Sequence, residues 1–217
     1  MRLRLAVVAG ALALAGCSQG DDATTDNWTA DIAAINCCAT TRAPSPDSTR
    51  TLIFEPGADG KARVRLSAGW LRQEEVAVAS LPAAAAWAPD GRGFFISESR
   101  GPGETSRFRL FRTPENGAPA ELSEARGQAV AAYRTHAGCA DDGSDPELSG
   151  LGWSRDGRRV LVRARSATPG SCGPGEGDLI MALAAEDGRV LERYEAAEAA
   201  ARFAALIPAA GGGVTAP

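Results

Sequence analysis

Few side chains in this sequence are of the types that catalyse reactions. His136 is the only histidine, and therefore the only imidazole available as a general base. Ser154 lies in the stretch Gly-Trp-Ser-Arg-Asp-Gly, but a nucleophilic serine on a sharp strand-to-helix turn needs glycine two residues later, where this chain has Asp156. The sequence has no phosphate-binding glycine loop and no zinc-binding helix motif. We therefore expect no catalytic residues and a protein that is not an enzyme.

The first twenty residues, MRLRLAVVAGALALAGCSQG, predict export of the chain from the cytoplasm. Arg2 and Arg4 precede an apolar run that ends in small residues and is too short to remain as a membrane-spanning helix. The tetrapeptide Leu-Ala-Gly-Cys that ends at Cys17 resembles the bacterial lipobox. That resemblance implies that residues 1–16 are a signal peptide and that Cys17 is acylated, as with palmitate. Ser18 resembles the residue found in lipoproteins sent to the outer membrane, which implies a lipid anchor there and a periplasm-facing domain.

Length and charge limit the remaining possibilities. The 217 residues carry 23 Lys and Arg against 27 Asp and Glu, a formal net charge of −4, which is not the footprint of a nucleic-acid-binding protein. We expect a lipidated leader over 17–42, one β domain over 43–195, and a C-terminal helix with a flexible tail over 196–217, where the sequence is rich in alanine.

One pattern recurs three times in the β domain: APSPDSTRTLIFE (43–55), AWAPDGRGFFIS (86–97) and LGWSRDGRRVLVRA (151–164). Each places an Asp-Gly or Asp-Ser turn between a short strand and a β-rich run, which predicts a hairpin. Two further strands follow each hairpin, so each copy is expected to be a four-stranded meander. About 43 residues separate Pro46 from Pro89, a propeller-like period, and the third copy follows an insertion of about 23 residues.

These copies resemble the W-S-P-D-G repeats of TolB-like periplasmic propellers and of the propeller domains of prolyl-oligopeptidase-type enzymes. The resemblance covers roughly 43–195 and implies architecture rather than chemistry. It implies that Trp87 and Trp153 are core residues between blades, while Asp90 and Asp156 form turns. Three copies are fewer than the four at which propellers begin. We therefore predict an all-β, open or incomplete propeller-like stack with a short C-terminal helix, to which 18–42 adds at most a partial fourth sheet.

After Cys17, four cysteines remain, and an even number in an exported chain predicts two disulfides rather than a metal site. Connections in a meander alternate between its two ends. Cys139 precedes the first strand of the third copy and Cys172 follows its second, so both lie at the same end and we expect them to pair. Cys37 and Cys38 also lie at that end, so cross-pairing with Cys139 is the alternative. We expect no metal and no cofactor.

Long connections gather at the same end, over 97–106, 123–150 and 165–177, whereas the other end has tight turns. The long connections define a predicted binding face. The acidic stretch 139–150 is read as a solvated loop, with calcium binding as the alternative. The polar and aromatic candidates on this face are Arg100, Glu104, Tyr133, His136, Asp141, Asp142 and Asp145.

The function expected from these features is non-enzymatic protein binding in the periplasm, as an envelope accessory or as an inhibitor or immunity protein against an exported toxin. The alternative is a degenerate propeller domain that binds glycan or accompanies a peptidase or hydrolase. A glycan site needs convergent aromatic side chains, and a chain with two Tyr and four Trp favours the first function.

The lipid anchor gives the first testable prediction. Changing Cys17 to Ala should abolish acylation and release the protein from the outer-membrane fraction, because more than one acyl chain is needed for stable anchoring. Metabolic labelling with an alkyne palmitate and membrane fractionation measure both effects. Normal processing and unchanged membrane binding of Cys17→Ala would contradict the lipoprotein interpretation.

Overall fold

A computed structural model describes residues 27–69, 72–99, 106–115, 117–139, 145–167, 170, 172 and 177–207. Cys17 and the signal peptide lie outside these residues. The described chain is mainly strand with two helices. In chain order the elements are β1 (Trp28–Thr29), β2 (Ala33–Ile35), β3 (Thr41–Pro44), β4 (Arg50–Pro56), β5 (Lys61–Ala68), β6 (Arg72–Ser80), β7 (Ala83–Trp87), β8 (Gly93–Glu98), β9 (Arg107–Arg112), β10 (Ala120–Glu121), α1 (Ser123–Ala137), β11 (Glu147–Ser154), β12 (Arg159–Arg165), β13 (Leu179–Ala184), β14 (Val190–Glu195) and α2 (Ala196–Arg202).

The strands form three antiparallel sheets. Sheet 1 has the order β3-β4-β5-β6, sheet 2 the order β2-β7-β8-β9-β10, and sheet 3 the order β1-β11-β12-β13-β14. Each sheet therefore contains one of the three predicted meanders in sequence order, and the described sheets do not close into a barrel. The predicted all-β open stack with a short C-terminal helix is confirmed.

Residues 27–35, which we call the strap, do not build a fourth sheet. Thr29 of β1 pairs with Trp153 in sheet 3, and Ala33 of β2 pairs with Ala85 in sheet 2. The strap thus adds an edge strand to two sheets at once, beside the first strand of each meander. We call this side of each sheet its inner edge; in sheet 1 it is the side of β3 that faces away from β4. The expectation of a partial fourth sheet in this region is wrong, because the inner edges of β7 and β11 offer main-chain groups that the strap satisfies.

The sheets stack face to face because sheet 1 has one apolar face and the central strands of sheets 2 and 3 carry apolar side chains on both faces. Phe54 of sheet 1 and Phe94 of sheet 2 belong to one core, while Phe95 and Trp153 belong to a second core between sheets 2 and 3. Phe203, just after α2, covers the other face of sheet 3. The outward face of sheet 1 carries polar and charged side chains, including Lys61, Arg63 and Arg65.

Two tryptophans join the sheets by equivalent hydrogen bonds. Trp87 Nε1 donates to the Ala43 carbonyl oxygen at 2.9 Å, and Trp153 Nε1 donates to the Ala86 carbonyl oxygen at 3.2 Å. Ala43 and Ala86 occupy the same position of successive copies. Among the described residues no sheet packs before sheet 1, and Pro44 stands at the tryptophan position of its copy. Both indoles are buried, as expected for core residues, and satisfying their N–H groups keeps that burial favourable.

The repeated Asp residues shape the tight turns. Asp156 Oδ1 accepts hydrogen bonds from the Ser154 hydroxyl at 2.6 Å and the Arg158 N–H at 3.0 Å; partial burial opposes ionisation, but these bonds and nearby arginines lower the pKa overall. Asp90 Oδ1 accepts from the Arg92 N–H at 2.9 Å. In the first copy, hydrogen bonds from Ser45 and Thr49 lower the pKa of Asp47 to about 2. The turn residues therefore satisfy their own backbone, as predicted.

The insertion before the third copy is largely helical, which corrects its interpretation as a long loop. Helix α1 ends at Gly138, whose φ is +65°. It buries Ala129 and Tyr133 in the core between sheets 2 and 3. The helix therefore completes the fold, and only residues 138–146 of the insertion connect it to β11.

Successive turns also touch each other, and this contact gives a prediction about stability. A Cβ on Gly157 would lie 2.6 Å from Asp90 Cγ, and the φ of Gly157 is +71°. Gly60 has a similar φ of +73° but nothing within 4 Å of its Cβ position. Gly60→Ala should therefore cost only the left-handed backbone penalty, about 1 to 2 kcal/mol.

Gly157→Ala should lower the free energy of unfolding by about 1 to 3 kcal/mol more than Gly60→Ala does. The reason is that the added methyl group displaces the Asp90 side chain, which accepts a hydrogen bond from the Arg92 N–H. Urea unfolding midpoints of the two variants measure the difference. Equal losses of stability would show that the stacked turns do not constrain each other.

Candidate functional site

The end with the long connections is joined by a disulfide between Cys139 and Cys172, with an S–S distance of 2.08 Å. This bond links the residue after the C-terminal end of α1 to the β12–β13 connection. It is the pairing expected from the sequence, because both cysteines belong to connections at the same end of the third copy. Cys37 and Cys38 are exposed and free, so the second expected disulfide is absent. The Cys37 thiol raises the pKa of the adjacent Cys38 thiol.

Asp145 attaches the start of β11 to helix α1. Its Oδ2 lies 2.6 Å from Arg126 Nη2, and its Oδ1 lies 3.1 Å from Arg134 Nη2. Cys139 is therefore held by the disulfide and Asp145 by two ion pairs. Asp145, predicted as a binding residue, is engaged within the fold.

The structure places two other predicted binding residues, Tyr133 and His136, in contacts within the fold. Tyr133 is 1% exposed, so its ring is a core residue and not the aromatic anchor that we expected. His136 Nδ1 lies 3.4 Å from Glu195 Oε1, which ties α1 to β14. Four of the predicted binding residues lie outside the described part of the chain: Arg100, Glu104, Asp141 and Asp142.

A groove of about 340 Å³ lies at the same end, between sheets 2 and 3. Ser97, Ser149 and Arg163 line it, and the Ser97 hydroxyl accepts a hydrogen bond from the Gly150 N–H at 2.8 Å. Arg165 Nε lies 2.5 Å from Glu147 Oε2 on the groove wall. This groove combines apolar and polar lining, and the Gly150–Ser97 hydrogen bond joins its two sides.

A larger cavity, of about 790 Å³, lies between the strap, β3 and β7; we call it the inner cavity. Trp87 contributes an apolar wall, and Asp31, Arg42 and Arg155 contribute charge. The side chains of these three charged residues form no ion pair with any residue that the structure describes. A concave apolar surface with a few polar groups is typical of binding sites.

Two residues that line the inner cavity occupy positions where one copy of the repeat differs from the other two. In the aligned copies, Arg42 stands where the others have Ala85 and Leu151, and Arg155 stands where the others have proline. Both departures introduce an arginine, and both arginines line the inner cavity. Differences between copies therefore mark this site better than the shared motif does.

Comparison with known proteins leaves the family open: no protein-family model matches the chain, and no curated protein matches it in sequence. The described residues contain no cluster of His, Cys, Asp and Glu suited to a metal ion. Neither described helix is long and apolar enough to span a membrane.

The disulfide gives a prediction with a matched control. Replacing Cys139 and Cys172 with Ser should lower the free energy of unfolding by about 3 to 4 kcal/mol, because the bond closes a loop with a sequence separation of 33. Replacing Cys37 and Cys38 with Ser should leave it unchanged, since both thiols are exposed and free. Denaturant unfolding measures both values, and a peptide map joining Cys139 to Cys37 or Cys38 would contradict the assignment.

Proposed function

We propose that the protein is a lipid-anchored, periplasm-facing binding module that docks another protein through the end with the long connections, which we call the loop face. The observation that carries this proposal is the Cys139–Cys172 disulfide, which fixes two of these connections to each other. A preordered surface loses less conformational entropy on association than a free loop does. The proposed role is that of an envelope accessory, or of an inhibitor or immunity protein against an exported toxin.

The surroundings of the disulfide support this use of the surface. Asp145 is held by two arginines of α1, and Gly150 donates across the sheets to Ser97. Cys139 and Asp145, which flank Asp141 and Asp142 in the sequence, are thus both held within the fold. Binding residues on connections supported by a rigid scaffold are a common arrangement in proteins.

The proposed architecture is an incomplete propeller related to the TolB-like repeats. Three points support it: the three meanders in sequence order, the equivalent indole hydrogen bonds of Trp87 and Trp153, and the Ser-x-Asp turns. In this proposal Phe203, just after α2, covers the face of sheet 3 on which a further blade would pack.

The test is crosslinking in intact envelopes followed by recovery of the tagged protein. Asp141→Asn combined with Asp142→Asn should reduce recovery of the crosslinked partner by about tenfold, because removing acidic side chains weakens an electrostatically complementary contact. These substitutions avoid α1, whose removal would open the core.

Glu74→Gln combined with Glu75→Gln is the matched control, because it removes the same charge from exposed positions on β6 of sheet 1. Recovery of the partner should then equal that of the unmodified protein. Undiminished recovery with the Asp141 and Asp142 variant would remove this segment from the binding site.

A further inference from the structure

The inner edges of the three sheets are not equivalent. In sheets 2 and 3 the inner strand of the meander is paired with a strand of the strap, whereas no strand of the described residues pairs with the other side of β3 in sheet 1. The inner edge of β3 borders the inner cavity. An unpaired sheet edge presents N–H and C=O groups that can accept another strand.

The register of sheet 1 identifies the free main-chain groups. The Ser45 N–H donates to the Arg50 carbonyl oxygen at 2.8 Å, and bonded pairs alternate along an antiparallel ladder. Arg42 and Pro44 therefore direct their main-chain groups away from β4. Because proline has no N–H, this edge offers the Arg42 N–H and the carbonyl oxygens of Arg42 and Pro44.

The second copy shows how such an edge is filled. Ala85 occupies the position of Arg42 one repeat later, and it pairs with Ala33 of the strap in an antiparallel register. The corresponding place beside Arg42 belongs to the inner cavity, whose volume of about 790 Å³ lies in the usual range for ligand sites. The repeat itself therefore provides a structural precedent for an added strand.

The charges indicate the chemistry of that strand. Arg42 and Arg155 line the cavity against a single acid, Asp31, and neither arginine forms an ion pair within the described chain. The excess of positive charge favours an acidic segment. Pro44, Pro46 and Pro89 line the same cavity and supply an accessible apolar surface for the alternate side chains of that segment.

We propose that the inner edge of β3 binds an extended acidic segment of a partner protein, which adds an antiparallel fifth strand to sheet 1. Strand addition obtains affinity from main-chain hydrogen bonds and specificity from alternate side chains. The site lies beside β3, at the edge of sheet 1, and does not include the loop face. It therefore extends the proposed function without depending on it.

The antiparallel direction favours a second chain over the protein's own leader. The Asn27 carbonyl oxygen accepts a hydrogen bond from the Arg155 N–H, so the chain enters the fold at the end where β3 finishes. A strand antiparallel to β3 would end beside the start of β3, at the opposite end from Asn27, so a second chain supplies it more simply.

A fluorescent acidic peptide of alternating Glu and Val tests the proposal on the full-length protein in detergent. Anisotropy titration should show saturable binding, and the matching peptide of alternating Lys and Val should bind about tenfold or more weakly. Arg42→Glu and Arg155→Glu should each lower the affinity for the Glu-Val peptide by about tenfold. Arg63→Glu is the control, because it makes the same charge change at an exposed site on β5 and should leave affinity unchanged.

Amide hydrogen exchange distinguishes strand addition from simple charge attraction. The peptide should slow exchange of the Arg42 N–H by about tenfold or more, while the Ser45 N–H, already bonded within the hairpin, should not change. The proposal would be overturned if the peptide bound without slowing exchange of the Arg42 amide. It would also be overturned if Arg42→Glu and Arg155→Glu left the peptide affinity unchanged.

Two further variants decide the occupant and separate the two proposals. Deleting residues 19–26 should not change peptide affinity; an increase of about tenfold would assign the edge to the chain's own leader and overturn the proposal. The Asp141→Asn and Asp142→Asn variant should bind the peptide normally. Loss of partner crosslinking in that variant with intact peptide binding would separate the loop face from the β3 edge.

Discussion

A sheet with two apolar faces has to be covered on both, and this constraint organises the molecule. Sheet 2 presents Phe94 to one neighbour and Phe95 to the other, so it lies in the middle. Sheet 3 is also apolar on both faces, and Phe203 covers the face that no sheet reaches. Sheet 1 has one apolar face and a charged one, which allows the stack to end there. Burial of Phe-sized side chains is worth roughly 1.5 to 3 kcal/mol each, enough to fix this order.

The hairpins were predictable because local chemistry determines them. An Asp followed by Gly or Ser forms the same turn in all three copies, and Ser48 adopts a φ of +57° where the later copies have glycine. The Cys139–Cys172 pairing was predictable because strand parity places both cysteines at one end. These features depend on neighbours in sequence or on counting strands, and the sequence contains both kinds of information.

Other features depend on distant partners, and the sequence did not reveal them. The strap contains alanines that could pack in many environments, so only the free edges of β7 and β11 decide where it pairs. Helix α1 presents mainly alanines to the core, and its polar side chains suggested a loop. Tyr133 was taken as a surface aromatic for the same reason. The inner cavity was missed because it forms between edges of separate repeats rather than within one motif.

The pairing of the strap with sheets 2 and 3 also affects the order of folding. Sheet 1 is a contiguous meander and can form once residues 41–80 are available, whereas Thr29 must wait for Trp153. Pairings between such distant segments are slow because loop closure precedes any gain from contacts. Strand β1, near the start of the described residues, is therefore among the last strands to be placed. Until the strap has paired, the edges of β7 and β11 can pair with incorrect strands. An extension fused at Asn27 would therefore interfere with the last step of folding rather than the first.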